Sequence, residues 1–129
     1  MLIKERFRRT VSYDDFTLRF SREDHSAEFN LIREVCRTQE RPFYYIYACV
    51  SNRNVDKFVV VHLNKLMQYI RRGTISLEDL QPYRSRIRNN QFFPGMIENA
   101  DRSSVFLTFS VPALVSICPE CLVAQEGFL

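Results

Sequence analysis

Two cysteines stand three positions apart in the sequence Cys118-Pro-Glu-Cys121, close to the end of the 129 residues. Cysteines at this spacing can clasp one zinc ion from a tight turn, or they can form a redox-active disulfide. The remaining zinc ligands would come from a second copy of the chain or from Cys36, Cys49, His25 and His62. A thioredoxin-like redox domain needs a sizeable segment after such a motif, and only eight residues follow Cys121. We therefore expect plain thiols and no cofactor, with zinc at Cys118 and Cys121 as an alternative.

Acid–base and metal chemistry have weak candidates. His25 and His62 could pair as the acid and base of a ribonuclease, but their places in a helix start and a strand favour structural roles. A metal-dependent nuclease would need clustered carboxylates, for which the candidates are Asp14, Asp15, Glu23, Asp24 and Glu28. Helix-start electrostatics explains three of them, and no lysine accompanies them. We therefore predict no catalytic residues and keep a nuclease as a second alternative.

Glycine is too scarce for the known phosphate-binding loops. The three glycines are Gly73, Gly95 and Gly127, whereas the P-loop, the dinucleotide fingerprint and the kinase loop all need closely spaced glycines. The Gly-x-Ser-x-Gly turn of α/β-hydrolases is also missing from the sequence. These motifs, and the enzymes that depend on them, are excluded.

Arginine supplies 15 of the 18 basic residues, and its planar guanidinium is a good ligand for phosphate. The candidate nucleic-acid contacts fall in three groups, which are Arg6, Arg8 and Arg9, then Arg71 and Arg72, then Arg84, Arg86 and Arg88. The third group projects together if the segment is extended, and splits between two faces if it is helical. Tyrosines that could stack on bases are Tyr44, Tyr45, Tyr47, Tyr69 and Tyr83, although sheet packing explains most of those in 43–50.

The periodicity predicts the elements that would position these residues. Alternating apolar residues predict a strand at 15–21, and helical spacing predicts a helix at 22–38. A strand at 43–50, a turn at 51–56 and a strand at 57–63 form a predicted hairpin.

The second half of the chain has similar signals. A helix at 64–72 ends at Gly73, and Ser76 begins another helix signal that Pro82 limits. Residues 92–96 read as a turn, 103–111 as a strand, and 113–117 as an edge strand resumed after Pro112.

Together these elements predict one α+β domain spanning residues 1–129. It has a mostly antiparallel sheet of four to five strands, with two to three helices packed mainly on one face. Residues 1–10 are expected to form a basic N-terminal arm and residues 118–129 a short C-terminal tail.

Composition and charge limit the classes of function that we expect for this chain. Hydrophobic residues make up 46% of the chain and no apolar run is long enough for a membrane span. With no signal peptide in the sequence, we expect a soluble intracellular protein, cytoplasmic or nuclear, with four free thiols. The net charge of +3 alternates as +3, −3, +5 and −2 over residues 1–10, 11–40, 41–75 and 76–129.

Two functions follow from this pattern. The first is a non-catalytic accessory protein that binds RNA or DNA through its arginine-rich surface. The second is a protein–protein interaction module, either an adaptor, an inhibitor or a self-associating scaffold, because alternating charge suits electrostatic docking or a homo-oligomer.

Overall fold

The computed structural model describes residues 1–9, 14–20, 28–38, 41–77, 93–98 and 105–129. The strands and helices of these residues, in chain order, are β1 (Leu2–Arg8), β2 (Asp15–Phe20), α1 (Glu28–Thr38), β3 (Phe43–Ser51), β4 (Asn54–His62), α2 (Leu63–Arg71), β5 (Gly95–Glu98), β6 (Val105–Ser110), α3 (Val111–Ile117), a 3-10 turn (Pro119–Cys121) and β7 (Leu122–Glu126).

The strands divide between two sheets. A four-stranded sheet has the order β1-β3-β4-β7, and a three-stranded sheet has the order β2-β6-β5. Every pairing is antiparallel except that of β1 with β3, which is parallel. The predicted α+β class and the mostly antiparallel pairing are confirmed, and the division into two sheets is what the strand patterns did not reveal.

One apolar core joins the two sheets to the helices. Tyr45 on β3 and Val59 on β4 are fully buried, as are Phe16 on β2 and Phe109 on β6. The Phe16 ring stacks on Phe109 at 5.2 Å and meets Tyr45 edge-on at 6.1 Å. Helix α1 adds Phe29 and Ile32 to this core, and α2 adds Leu63, Leu66 and Met67.

The predicted hairpin and the helix after it are confirmed. Strands β3 and β4 meet through a tighter turn than predicted, since Asn52 and Arg53 both take positive φ, at 46° and 67°. Helix α2 ends as expected, because Gly73 lies beyond the C-cap with φ 82° and its N–H donates to the carbonyl of Ile70.

Both ends of the chain are strands rather than an arm and a tail. Leu2 to Arg8 pair in register with Phe43 to Cys49, so the predicted basic arm is the edge strand β1. The predicted C-terminal tail contains β7, which pairs with β4. Charged residues interrupt the apolar alternation of β1, and β7 is only five residues long, so neither strand gives much periodicity to detect. The backbone of the partner strand supplies the order of each.

The predicted edge strand at 113–117 is wrong, because Val111–Ile117 is helix α3. Pro112 lies in the first helical turn, where its missing N–H costs nothing. The Ser110 hydroxyl caps the helix by accepting a hydrogen bond from the backbone N–H of Ala113. The predicted turn at 92–96 is replaced in part by β5, which begins at Gly95 after a cis Phe93–Pro94 bond.

The expectation of four free thiols is also wrong. Cys118 and Cys121 are joined in a disulfide, whereas Cys36 and Cys49 are free. Helix α3 ends at Cys118, and the 3-10 turn brings Cys121 back to a Cα–Cα distance of 5.6 Å, which suits a disulfide.

Within the part of the chain that the structure describes, no helix combines the length and the apolar character needed to cross a bilayer.

Candidate functional site

A cleft lies between helices α1 and α2, with a volume of about 750 Å³. Arg33 and Arg37 line it from α1, and Lys65 and Arg71 line it from α2. We call this site the α1–α2 cleft. No acidic side chain lines it among the described residues, so it is a concentration of positive charge.

The α1 wall follows from helical geometry. Arg33 and Arg37 are four residues apart and therefore share one face of the helix. Arg33 donates to the Asn30 side chain at 3.3 Å and lies over the Phe29 ring. Arg37 forms an ion pair with Glu34, and its guanidinium donates to both carboxylate oxygens of that residue. These contacts orient both arginines without burying them.

The α2 wall begins where β4 ends. His62 is the N-cap of α2, and its Nδ1 accepts a hydrogen bond from the backbone N–H of Lys65 at 3.4 Å. Burial, and then the charge of Lys65, lower the pKa of His62 below 6.5. His62 is therefore neutral at pH 7, and its Nε2 carries the ring proton.

Asn64 fixes this wall to the start of β3. Its Oδ1 accepts from the backbone N–H of Phe43 at 2.7 Å, and its Nδ2 donates to the carbonyl of Arg41 at 3.2 Å. The floor of the cleft contains Cys36, whose pKa is raised by burial although the nearby Arg71 opposes that shift. Basic walls above a partly apolar floor can bind an anion that also carries rings.

Of the predicted pair Arg71 and Arg72, Arg71 lines this site and Arg72 does not. Both are exposed at the end of α2, where Arg71 lines the cleft and Arg72 is the C-cap. Tyr69, four residues after Lys65 on α2, donates a hydrogen bond to the carboxylate of Glu120. That hydrogen bond is the main reason why the pKa of Glu120 is lowered, with Lys65 and Arg72 adding to it.

Arg6 has a different role from the one predicted. Its Nη2 donates to Glu28 Oε2 at 2.8 Å, and its Nε donates to the Tyr45 hydroxyl at 3.0 Å. Tyr45 in turn donates to the carbonyl of Thr17 at 2.9 Å. Glu28 also accepts from the backbone N–H of Arg19. Arg6 is thus committed to an internal network and is not presented to a phosphate.

The electrostatics of this network are strongly coupled. Burial lowers the pKa of Arg6, but Tyr45 and then Glu28 outweigh it, so that the pKa is raised. Burial, followed by the negative charge of Glu28, raises the pKa of Tyr45 far above 10.0. Arg6 stays charged and Tyr45 stays protonated throughout the physiological range.

Neither Arg8 nor Arg9 lines the cleft. Arg8 is half-buried at the end of β1 opposite Cys49, and Arg9 is exposed just beyond it. Arg84, Arg86 and Arg88 lie outside the described residues, and so does the whole segment that was predicted to be either helical or extended. Of the predicted stacking residues, Tyr45 and Tyr47 are core residues, and Tyr83 lies outside the described residues. Tyr44 is part-exposed beside His62.

Three basic residues of the cleft were not predicted as contacts, namely Arg33, Arg37 and Lys65. The spacing of Arg33 and Arg37 does indicate a shared basic face on a predicted helix. What the sequence lacks is the packing of α1 against α2, which brings that face opposite Lys65 and Arg71.

Among the described residues, no arrangement of side chains supports the zinc site or the metal-dependent nuclease that were kept as alternatives. In the disulfide, the sulfurs of Cys118 and Cys121 are not thiolate ligands for zinc. Glu28 is occupied by Lys4 and Arg6, and Asp14 lies 4.0 Å from Lys57. Among the described residues, no three side chains of His, Cys, Asp or Glu are grouped as a metal site.

A second surface is apolar. The four-stranded sheet turns Phe7, Val55 and Phe58 away from the core, around a groove of about 430 Å³. Phe7 is 57% exposed and Val55 is 56% exposed. We call this surface the outer face, which also includes Ile3, Ile46, Ala48 and Val60.

The chain matches no protein-family model, no curated protein and no solved structure.

Proposed function

We propose that this chain is a small, non-catalytic intracellular accessory protein that binds nucleic acid through an arginine-rich surface centred on the α1–α2 cleft. Four cationic side chains that converge on one cleft support this function. A phosphodiester backbone supplies a regular row of anions, which such a cluster binds by charge-assisted hydrogen bonds and counterion release.

The availability of these charges adds support. Arg37 already pairs with Glu34. Among the described residues, however, no carboxylate is in ion-pair contact with Arg33, Lys65 or Arg71. A phosphate would therefore not have to displace a carboxylate from these three, although Arg33 already donates to the side chain of Asn30. Arg72 would extend the surface past the end of α2, and Arg84, Arg86 and Arg88 remain contacts proposed from the sequence.

Fluorescence anisotropy with short labelled RNA and DNA oligonucleotides of mixed sequence tests this function. We expect binding that weakens by at least tenfold between about 50 mM and about 200 mM salt. The double variant Arg33→Gln/Arg71→Gln removes one charge from each wall. It should bind about tenfold more weakly and lower the slope of log K against log salt by roughly 2.

The matched control is Arg53→Gln. Arg53 is exposed in the β3–β4 turn, at the opposite end of that hairpin from His62. Removing one charge there should leave affinity within about twofold, as expected for a charge beyond the Debye length. Absence of binding to every oligonucleotide at low salt would refute the nucleic-acid function, and equal losses in both variants would refute the cleft as its site.

The outer face favours a second candidate function, a protein–protein module that associates with a second copy of itself. Aromatic and β-branched side chains surround its groove, and exposed apolar patches of this kind commonly mark interfaces. From strand spacing its area is roughly 20 by 23 Å. That is smaller than the ~800 Å² per partner of a standard interface, so self-association would be weak.

Light scattering over a range from micromolar to millimolar protein tests this candidate. The mean mass should rise with concentration, and the variant Phe7→Glu/Val55→Glu should stay monomeric because a desolvated charge opposes stacking of the two faces. A monomer at all concentrations would remove self-association from consideration.

A further inference from the structure

Two rings meet at the end of β4, where one of them, that of His62, lines the α1–α2 cleft. Tyr44 on β3 and His62 on β4 are cross-strand partners, and their ring centroids lie 5.1 Å apart at an interplanar angle of 72°. Both side chains are part-exposed, and His62 also lines the cleft. The N-cap hydrogen bond to the backbone N–H of Lys65 fixes the imidazole in place. An ordered aromatic pair of this kind is a platform on which an unpaired base can stack.

The shape of the cleft selects among nucleic acids. Its basic residues stand on two facing helices, and its volume falls within the range of about 300–1,000 Å³ that is typical of small-ligand pockets. A duplex carries its phosphates on a rigid convex surface and its bases inside. It would therefore contact only the rim of the cleft. A single strand can enter backbone first and contact both walls, and its bases are free to stack.

We propose that the α1–α2 cleft binds single-stranded nucleic acid, with the phosphodiester backbone between the two basic walls and one base against the Tyr44–His62 ring pair. This inference rests on the nucleic-acid binding proposed above. It adds two requirements, a strand without a partner and a base at a defined position. The Nε2–H of His62 is a hydrogen-bond donor beside that base.

Competition against a labelled single strand tests the first requirement. Unlabelled competitors are the same strand, its duplex, and an abasic strand of equal length and charge. The unmodified strand should compete at least tenfold better than the duplex. The abasic strand should compete roughly 5- to 100-fold less well, because it lacks the stacked base.

Two variants test the second requirement. Tyr44→Leu removes the ring while keeping an apolar side chain, and His62→Asn removes the imidazole while keeping an N-cap. Each should weaken binding of the unmodified strand by roughly 5- to 100-fold and leave binding of the abasic strand unchanged. The matched control is Phe7→Leu, an aromatic of the outer face whose register partner is Ala48 rather than Tyr44. It should leave both affinities unchanged.

The outcomes separate the two proposals. Equal competition by duplex and single strand, with the loss in Arg33→Gln/Arg71→Gln retained, would overturn the single-strand inference and leave the proposed function standing. Unchanged binding in Tyr44→Leu, or an equal loss in Phe7→Leu, would overturn the stacking position. Absence of binding by any oligonucleotide would overturn the proposed function and the inference with it.

Discussion

Arg6 Nη2 lies 2.8 Å from Oε2 of Glu28, and this ion pair ties the edge of the four-stranded sheet to the first turn of α1. The Arg6 side chain is 21% exposed and that of Glu28 is 8% exposed. The second carboxylate oxygen accepts from the backbone of Arg19 on β2, so one acidic residue joins three elements. A predicted phosphate contact is therefore a structural residue.

Removing one partner of this ion pair should be costly. Glu28→Gln leaves Arg6 short of its charged acceptor, and we expect a loss of about 2–4 kcal/mol in the free energy of unfolding. Arg6→Met should cost a similar amount, and the double variant Arg6→Met/Glu28→Gln should cost less than the sum. Urea denaturation in a double-mutant cycle measures this coupling. Additive losses would show that the pair is not coupled.

Tyr45 should make the protein sensitive to alkaline pH. Tyr45→Phe leaves the Thr17 carbonyl without its donor, so at neutral pH we expect a loss of about 1–2 kcal/mol. The pKa of Tyr45 is raised in the folded state. Its stabilisation is therefore complete below pH 10 and declines as the unfolded chain ionises above pH 10. Urea denaturation at increasing pH should show the two proteins converging in stability, and a constant gap would contradict this.

His62 should give the opposite dependence. Its pKa is lowered in the folded state, so the unfolded chain takes up the proton first as the pH falls. The stability linked to His62 is complete above pH 6.5 and declines as the pH falls through the folded value. His62→Asn keeps a capping side chain without titrating. Its stability should fall less than that of the wild type between about pH 7.5 and about pH 5. Parallel curves would contradict the role of His62.

Two glycines with similar backbones should differ in their tolerance of alanine. Gly73 and Gly127 have φ of 82° and 85°, but only at Gly127 would a Cβ come within 2.6 Å of the Lys57 Cβ. Gly73→Ala should cost about 1 kcal/mol from backbone strain alone. Gly127→Ala should cost about 1–3 kcal/mol more, because Lys57 is buried against the Phe128 ring and must shift. Thermal unfolding of the pair measures the difference, and equal losses would contradict the steric explanation.

The disulfide should be present and stabilising. Mass spectrometry after alkylation without reduction should find two modified cysteines in the unfolded chain, Cys36 and Cys49. Closing so short a loop contributes about 2 kcal/mol. Cys118→Ala/Cys121→Ala should lose about that amount, whereas Cys36→Ala, outside the loop, provides the comparison for losing a thiol. Four alkylated cysteines would refute the disulfide.

The sequence by itself determined the elements with strong periodicity. The strand at Asp15–Phe20, the hairpin of β3 and β4, and the end of α2 at Gly73 all follow from side-chain alternation, helical spacing and the conformational freedom of glycine. These signals are local, so each can be detected without knowing its neighbours. The class of the fold followed from their order.

Only the tertiary structure decided which arginines are available to bind a ligand. Arg6 lies on the inward side of β1 because the backbone of β3 pairs with that strand, and its charge is then satisfied by Glu28, 22 residues away. Arg33 faces Arg71 only because α1 packs beside α2. Contacts between residues far apart in the chain depend on how elements pack, which local residue patterns do not encode. The same arginine-rich composition therefore supplied a structural ion pair at one site and a basic cleft at another.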